Sequence, residues 1–333
     1  VSTVAIAVTG AGWSTTYQDL GRQDAERLGV PTGGAADQYS AAVANLLVGN
    51  PRGAPLLESL GGGLAVVPDA DVLVAVTGAD SRVTVGGAAV PTWSPVLVPK
   101  GCELRVHELR RGVRSYLAVH GRVDAARFLG SAAPDPRMGF GQVLGPGSEV
   151  RVRTVSRGWS YGHFGQPLLR LPLPGFRPGA LDRPVDVVPT HGAGAASGIR
   201  ELVADSLYTV TVRSDHVGLR LDGPVKHPDD DTEIVSHGVP IGALEIPHAD
   251  ELIVLGRYRT LTAGYPIIGV AARACLPVLG QAGPGRRLRF RWVDRETAVR
   301  RSAEQEAALR ALESATSDAF AALGLPGPCR PTE

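Results

Sequence analysis

Gly145-Pro146-Gly147-Ser148-Glu149-Val150-Arg151-Val152-Arg153 holds the fold in miniature. A Gly-Pro-Gly turn feeds a segment in which valine and arginine alternate, the pattern of a strand with one wet face. The pattern recurs as Gly283-Pro284-Gly285 followed by Leu288-Arg289-Phe290-Arg291. Gly29-Val30-Pro31-Thr32-Gly33 is echoed in the same order by Gly238-Val239-Pro240-Ile241-Gly242, although the interval to the Gly-Pro-Gly turn is much longer in the first half. A diverged duplication, with a helix and extra strands inserted in the first copy, accounts for both facts. Such matches are easy to find by chance in a chain with 42 Gly and 26 Pro.

Working outward, short β-branched runs separated by Gly and Pro predict a mainly β architecture. Expected strands are Val72–Thr77, Arg82–Val85, Ser115–Val119, Val150–Val155, Tyr208–Arg213, Leu252–Leu255 and Leu288–Trp292. Gly86-Gly87 suits a tight hairpin, because glycine supplies the positive φ. Helices are few. Asp37 is placed to cap one that runs to Val48, with Gly49 as its stop. A short helix is expected over Ile199–Asp205, and a long one from Asp294 to Leu323 with Leu309, Leu312, Phe320 and Leu323 on its apolar side. The resulting division is a first domain over 1–166, a Pro-rich linker over 167–189, a second domain over 190–293, the helix over 294–323 and a tail over 324–333.

Composition excludes several classes. With a net charge of +1 and no basic stripe interleaved with aromatics, the chain is not expected to bind nucleic acid. No apolar run approaches a membrane span. Val1–Trp13 lacks a basic stretch ahead of its apolar residues, so no secretory leader is expected. Cys102, Cys275 and Cys329 are too scattered for a disulfide framework or a metal site, and a reducing cytoplasm is the expected compartment. Neither a phosphate loop nor a serine nucleophile elbow is present. Asp229-Asp230-Asp231 reads as a solvated loop tip, and no metal site is expected.

Two polar constellations fall on expected loops. In Gln18-Asp19-Leu20-Gly21-Arg22, followed by Gly33-Gly34 and Asp37, the Asp and Arg either pair to fix the loop or meet a ligand. Arg257 to Pro266 follows an apolar strand with arginines and hydroxyls that suit a carboxylate or phosphate, or are simply solvated.

The strings also resemble a known family. Thr15-Thr16-Tyr17-Gln18-Asp19-Leu20-Gly21-Arg22, Ala44-Asn45-Leu46-Leu47-Val48-Gly49-Asn50-Pro51, Thr77-Gly78-Ala79-Asp80, Gly139-Phe140-Gly141, Ser214-Asp215 with Gly218-Leu219-Arg220-Leu221, and Gly264-Tyr265-Pro266 are similar to motifs of the family formed by the C subunit of 5-oxoprolinase. That family is also described as allophanate-hydrolase subunit 2 or biotin-dependent carboxyltransferase-like. The likeness runs over about residues 9–310. It implies two cyclophilin-like β-barrel domains with a few short helices and a C-terminal helix. It also implies two partners, a B subunit (KipI-like, allophanate-hydrolase subunit 1) and a LamB/YcsF-type A subunit, with ATP held with or by the partner. The implied reaction opens 5-oxoproline to glutamate. The alternatives are a non-catalytic regulatory partner of a KipI-like protein, or carboxyl transfer using biotin on another protein.

Activation of an amide-like carbonyl calls for oriented donors. By the resemblance, Asp19, Arg22, Arg220, Arg259 and Thr262 are the catalytic candidates. Asp37, Asp80, Ser214, His216 and Tyr265 are the substrate-binding ones. Departures cluster in the second half. Where similar proteins carry D-R-Q-T-T-G-G-Y-P, this chain has Tyr258-Arg259-Thr260-Leu261-Thr262-Ala263-Gly264-Tyr265-Pro266. The Arg of S-D-R-M-G is His216, Ala132-Ala133-Pro134-Asp135 stands for R-S-T-D, and Glu245 adds negative charge where an amide is usual.

Overall fold

The computed structural model describes residues 2–154, 182–190, 198–226, 234–248, 251–322 and 324. The protein is mainly β, with two curled, near-barrel sheets and four α-helices among the described residues. No helix among those residues is long and apolar enough to cross a membrane.

The first sheet has eleven strands and is built on Ser2–Ala11, which pairs antiparallel with Glu149–Thr154 and with Leu64–Pro68. Val4, Ile6 and Val8 from one strand meet Val150 and Val152 from its partner in the core, while Arg151 and Arg153 face out. This is the alternation legible in the sequence. Two expected strands, Val72–Thr77 and Arg82–Val85, are one strand, Val72–Val85. It runs on because Gly78 adopts φ 91° at an irregularity in the pairing with Leu104–Val119, where a side chain would strike the Arg114 carbonyl. Gly86 and Gly87 turn the chain with φ 56° and 85°, and Val85 pairs with Ala88.

Helix Gln38–Leu47 starts where its cap does: the Asp37 carboxylate accepts the Ser40 N–H at 2.9 Å. The final helix covers Arg295–Ala322, capped by Asp294 through the Thr297 N–H, and Leu309, Leu312 and Phe320 are buried as expected. Leu323 lies outside the described residues, as do Asp229–Asp231 and Cys329.

The second sheet has eight strands: Val185–Pro189, Tyr208–Val210, Gly218–Asp222, Ala243–His248, Glu251–Leu255, Ile267–Ala271, Arg287–Leu288 and Phe290–Trp292. A separate two-stranded ribbon joins His237–Gly238 to Thr262–Ala263. Helix Ile199–Asp205 lies where the sequence put it. The expected linker is corrected at its end. Val185–Pro189 is a strand, antiparallel to Ile267–Ala271 and parallel to Phe290–Trp292. Proline ends this strand rather than marking a linker.

The chain divides into two compact units, residues 1–22, 37–178 and 307–333 in one and 23–36 with 179–306 in the other. The sequence-based boundaries put 23–36 in the first domain. Its backbone and side chains instead bond within the second unit: the Gly33 N–H reaches the Arg257 carbonyl at 3.1 Å. The Gly-Val-Pro echo is therefore not a pair of matching places in two domains. The Gly-Pro-Gly echo is a structural one. In both turns the fourth residue's N–H closes on the first carbonyl, at 2.9 Å for Ser148 and 3.0 Å for Arg286. Gly147 (φ 91°) and Gly285 (φ 82°) provide the left-handed position of a type II turn after Pro. Each glycine N–H also reaches into its own sheet, to Val8 or to Val210.

Candidate functional site

In the first unit, Asp19 and Arg22 do not pair with each other; both hold the segment 131–133. The buried Asp19 carboxylate accepts from the Gly21 N–H at 2.8 Å, the Ser131 hydroxyl at 2.6 Å and the Ala132 N–H at 2.8 Å. Arg22 is fully buried, donates to the Ala133 carbonyl and lies 5.4 Å from the Phe128 ring centre. Its Nε and Nη1 have no hydrogen-bond partner among the described residues. A desolvated guanidinium with two spare donors and no carboxylate is the arrangement of an anion or carbonyl-oxygen receptor.

Asp37 is buried and serves the helix start; its own N–H donates to the Tyr116 hydroxyl at 2.9 Å. Tyr116 in turn donates to Glu58 at 2.8 Å. Burial first, then the nearby Glu58 and Asp37 carboxylates, push the Tyr116 phenol well above its ordinary value, so it stays a neutral donor. Asp80 is exposed, on the strand Val72–Val85 opposite Arg111. Neither place suits a direct contact shared with Arg22, since Asp37 is used as a cap and Asp80 faces outward.

In the second unit, Ser214 and Asp215 shape a turn. The Ser214 hydroxyl accepts the Arg220 N–H at 2.9 Å, and Asp215 accepts from Val217 at 2.8 Å and Gly218 at 3.2 Å. His216 is exposed, and its ring meets Tyr258 edge-on at 5.4 Å and 81°. His216 and Tyr258 are two of the departures noted above, standing where the resembling pattern has Arg and Asp. The two departures are therefore in edge-to-face ring contact with each other.

Arg220 and Arg259 are both engaged by acids. Arg220 ion-pairs with the buried Glu251 at 2.5 Å, and Arg213 binds the other oxygen of that carboxylate at 2.7 Å. Arg259 is buried under the ribbon, donating through Nε to the Val239 carbonyl at 2.6 Å and through Nη2 to Glu26 at 2.9 Å. Its Nη1 has no partner among the described residues. Burial raises the Glu26 carboxyl, but hydrogen bonds from Thr32 and Arg259, with the Arg259 charge, outweigh it and lower the pKa. Thr262 is exposed on the ribbon opposite Gly238, and Tyr265 is 42% exposed beyond it.

Sequence reasoning noted Glu245 only as added charge, and the structure gives it a different character. It is 4% exposed, its Oε1 has no partner among the described residues, and burial pushes it up to about 7. Burial thus favours the acid form over the anion well above the ordinary carboxylate range. It is directly opposite Ile253 on one side and Ile267 on the other. Arg220 is opposite Ile253 one strand further, so all four residues share one face. The signal that would have found Glu245 is an acid in the middle of the otherwise apolar strand Ala243-Leu244-Glu245-Ile246. Among the described residues no cluster of His, Cys, Asp and Glu could hold a metal.

Each unit holds a curled, mainly antiparallel sheet and a buried arginine, Arg22 in the first and Arg259 in the second. The chain belongs to the carboxyltransferase-domain family, subdomains A and B, whose model matches residues 28–292. Among its relatives, the C subunit of 5-oxoprolinase from Escherichia coli is 29% identical over 90% of this chain and 95% of its own length. Among solved structures, TTHA0988 aligns with TM-score 0.71 and 30% identity, over 86% of this chain and 55% of that one. The urea amidolyase of K. lactis aligns with TM-score 0.78 and 26% identity over 92% of this chain. The chain thus spans about half the length of TTHA0988 and 20% of the urea amidolyase.

Proposed function

We propose that this chain is the carboxyltransferase-fold subunit of a multisubunit ATP-dependent complex that opens 5-oxoproline, or a close amide, to the free amino acid. The observation that carries the reading is the likeness to a relative named as the C subunit of 5-oxoprolinase, which spans nearly all of both chains. The partners are a KipI-like B subunit and a LamB/YcsF-type A subunit, in the cytoplasm. The residues of this chain fit the part of the reaction that handles a polarised carbonyl. Arg22 offers two desolvated donors from a position locked by Asp19, Ser131 and Ala133. Arg259 offers Nη1 while Glu26 and Val239 fix its plane. In the second unit, Thr262 and Tyr265 follow Arg259 closely in sequence and are exposed, so a carboxylate-bearing ligand could be met there. ATP supplies the driving force as a co-substrate. No phosphate-binding glycine loop is present in this sequence, so its phosphates are assigned chiefly to the partner.

The test is release of ADP and glutamate from ATP and 5-oxoproline by this chain reconstituted with its KipI-like and LamB/YcsF-type partners. Product above the level without this chain supports the reading. A stable complex that yields no glutamate removes it. Two other readings have observations behind them. The likeness to the urea amidolyase favours carboxyl transfer with biotin on another protein, tested by urea-dependent loss of carboxybiotin. The pairing of Arg220 and Arg259 with Glu251 and Glu26 favours a regulatory partner of a KipI-like protein, tested by complex formation that alters the partner's activity alone.

A further inference from the structure

Large apolar side chains of the first unit are turned to solvent on two neighbouring loops. Leu129 is 42% exposed, Met138 57% and Val143 68%. Phe128 and Phe140, beside them in the chain, are half-buried with ring centres 5.3 Å apart, which joins the two loops. Met138 is the single methionine of the sequence, and it stands on the surface rather than in a core. From Ala125 to Val143 the only acid is the buried Asp135, and there is no lysine, while Arg127 and Arg137 are exposed. Aromatic residues, methionine and arginine without exposed acids or lysines are the composition of a protein–protein contact.

The loops hold this patch still. Phe128 and Ser131 exchange backbone hydrogen bonds at 2.8 and 3.1 Å around Leu129 and Gly130. Both of those central residues have positive φ, 48° and 82°. Asn-Gly fits such a turn without strain, whereas leucine does not. A strained leucine turned to water points to a use beyond the turn. The second loop closes where Asp135 and Phe140 donate to each other's carbonyls, at 2.7 and 3.0 Å, and the Asp135 carboxylate accepts the Met138 N–H at 3.1 Å. Asp19 fixes Ser131 and Ala132, and Arg22 holds Ala133 and packs on the Phe128 ring. A surface ordered beforehand loses less freedom when a partner arrives.

Resting on the function proposed above, we infer that this patch is the docking surface for the KipI-like B subunit, which meets it with an apolar pocket rimmed by carboxylates. Two facts favour a different protein over a second copy of this chain. The Escherichia coli relative, matched over 95% of its own length, is named as a subunit, and TTHA0988, of which this chain covers 55%, carries further chain with the same fold. Charge supplies the second argument. A symmetric pair of copies would bring like patches and their arginines together, whereas carboxylates on another chain neutralise Arg127 and Arg137. Docking here also brings the partner that is assigned the ATP phosphates to the segment held by Asp19 and Arg22.

The test is isothermal titration of the full chain with the KipI-like B subunit. Met138→Glu is expected to raise Kd by about 30-fold or more, and Arg137→Glu by about 10-fold with a weaker dependence on salt. Leu129→Asn is the sharpest variant, because asparagine suits the turn: Tm is expected to hold or rise while Kd rises by about 10-fold. Val299→Glu, at an exposed valine of the final helix, is expected to bind like the wild type. Leu129→Asn and Met138→Glu chains that bind as tightly as the wild type overturn the proposal, even when the complex makes glutamate. A wild-type chain that binds no B subunit overturns it too, as does light scattering that shows a dimer of this chain dissolved by Met138→Glu. A complex that makes no glutamate, yet is weakened by both variants, supports the docking surface and sinks the 5-oxoproline reading.

Discussion

The polar clusters of the two units are opposites. In the first, the acid is used up and the cation is left over: Asp19 accepts three hydrogen bonds, while Arg22 keeps two free donors. In the second, Arg220 and Arg259 are ion-paired with Glu251 and Glu26, although one Arg259 nitrogen is unbonded among the described residues, and Glu245 is a buried acid with no arginine of its own. An unspent buried donor suits an oxygen that gains negative charge, and an unspent acid suits a nitrogen that gains or loses a proton. The same fold class supplies each by changing which member of an acid–base pair finds a protein partner.

The comparison is broken most forcefully at Asp19. Asp19→Ala is expected to cost about 3–4 kcal/mol in urea denaturation, because three donors lose a charged acceptor in a buried place. A loss below about 1 kcal/mol would mean that Asp19 is not the anchor of the 131–133 segment.

Glu245 produces the next largest effect, and its sign depends on pH. Its folded pKa lies above the unfolded value of about 4.3, so the native state prefers the acid form. Stability is fully present below the unfolded value and is lost as pH rises through about 7, by about 3–4 kcal/mol. Glu245→Gln is expected to flatten that loss when unfolding is followed from pH 4.5 to 8. Glu26 runs the other way. Its lowered pKa contributes stability above its unfolded value, which is lost as pH falls through the folded one. Glu26→Gln is expected to cost about 1–2 kcal/mol at pH 7 by leaving Arg259 buried with one partner fewer, measured by urea denaturation.

A smaller effect tests whether the His216 and Tyr258 rings are energetically coupled. A double-mutant cycle through His216→Arg and Tyr258→Asp should show a coupling of about 0.5–1 kcal/mol, each single change costing more than the pair. Additive changes would mean that the ring contact carries nothing. Smallest of all in stability is Arg22→Met, expected within about 1 kcal/mol of wild type, since an apolar residue of similar volume relieves an incompletely paired buried charge. The same variant should lose activity in the reconstituted complex. If it instead unfolds the chain, the spare donors are part of the framework.

Much of the local structure was legible in the residues. Val150-Arg151-Val152-Arg153 announces a strand with one wet face because side chains alternate with a period of two. Gly86-Gly87 and the two Gly-Pro-Gly turns announce themselves because few other residues adopt a positive φ. Asp37 and Asp294 mark helix starts because a short carboxylate reaches the free N–H groups of the first turn. These features depend on a few neighbouring residues.

The sequence by itself therefore determined the mainly β character, the turns, the caps and the family to which the motifs belong. Only the tertiary structure decided that Val185–Pro189 joins the second sheet, that residues 23–36 group with the second unit, and that Val72–Val85 is one strand. It alone decided that Asp19 binds Ser131 and Ala132 rather than Arg22, and that Glu245 stands apart from the acids that neutralise arginines. A charge's role depends on which partner reaches it and on how much water is left around it. Both are set by residues far away along the chain, to which local pattern is blind.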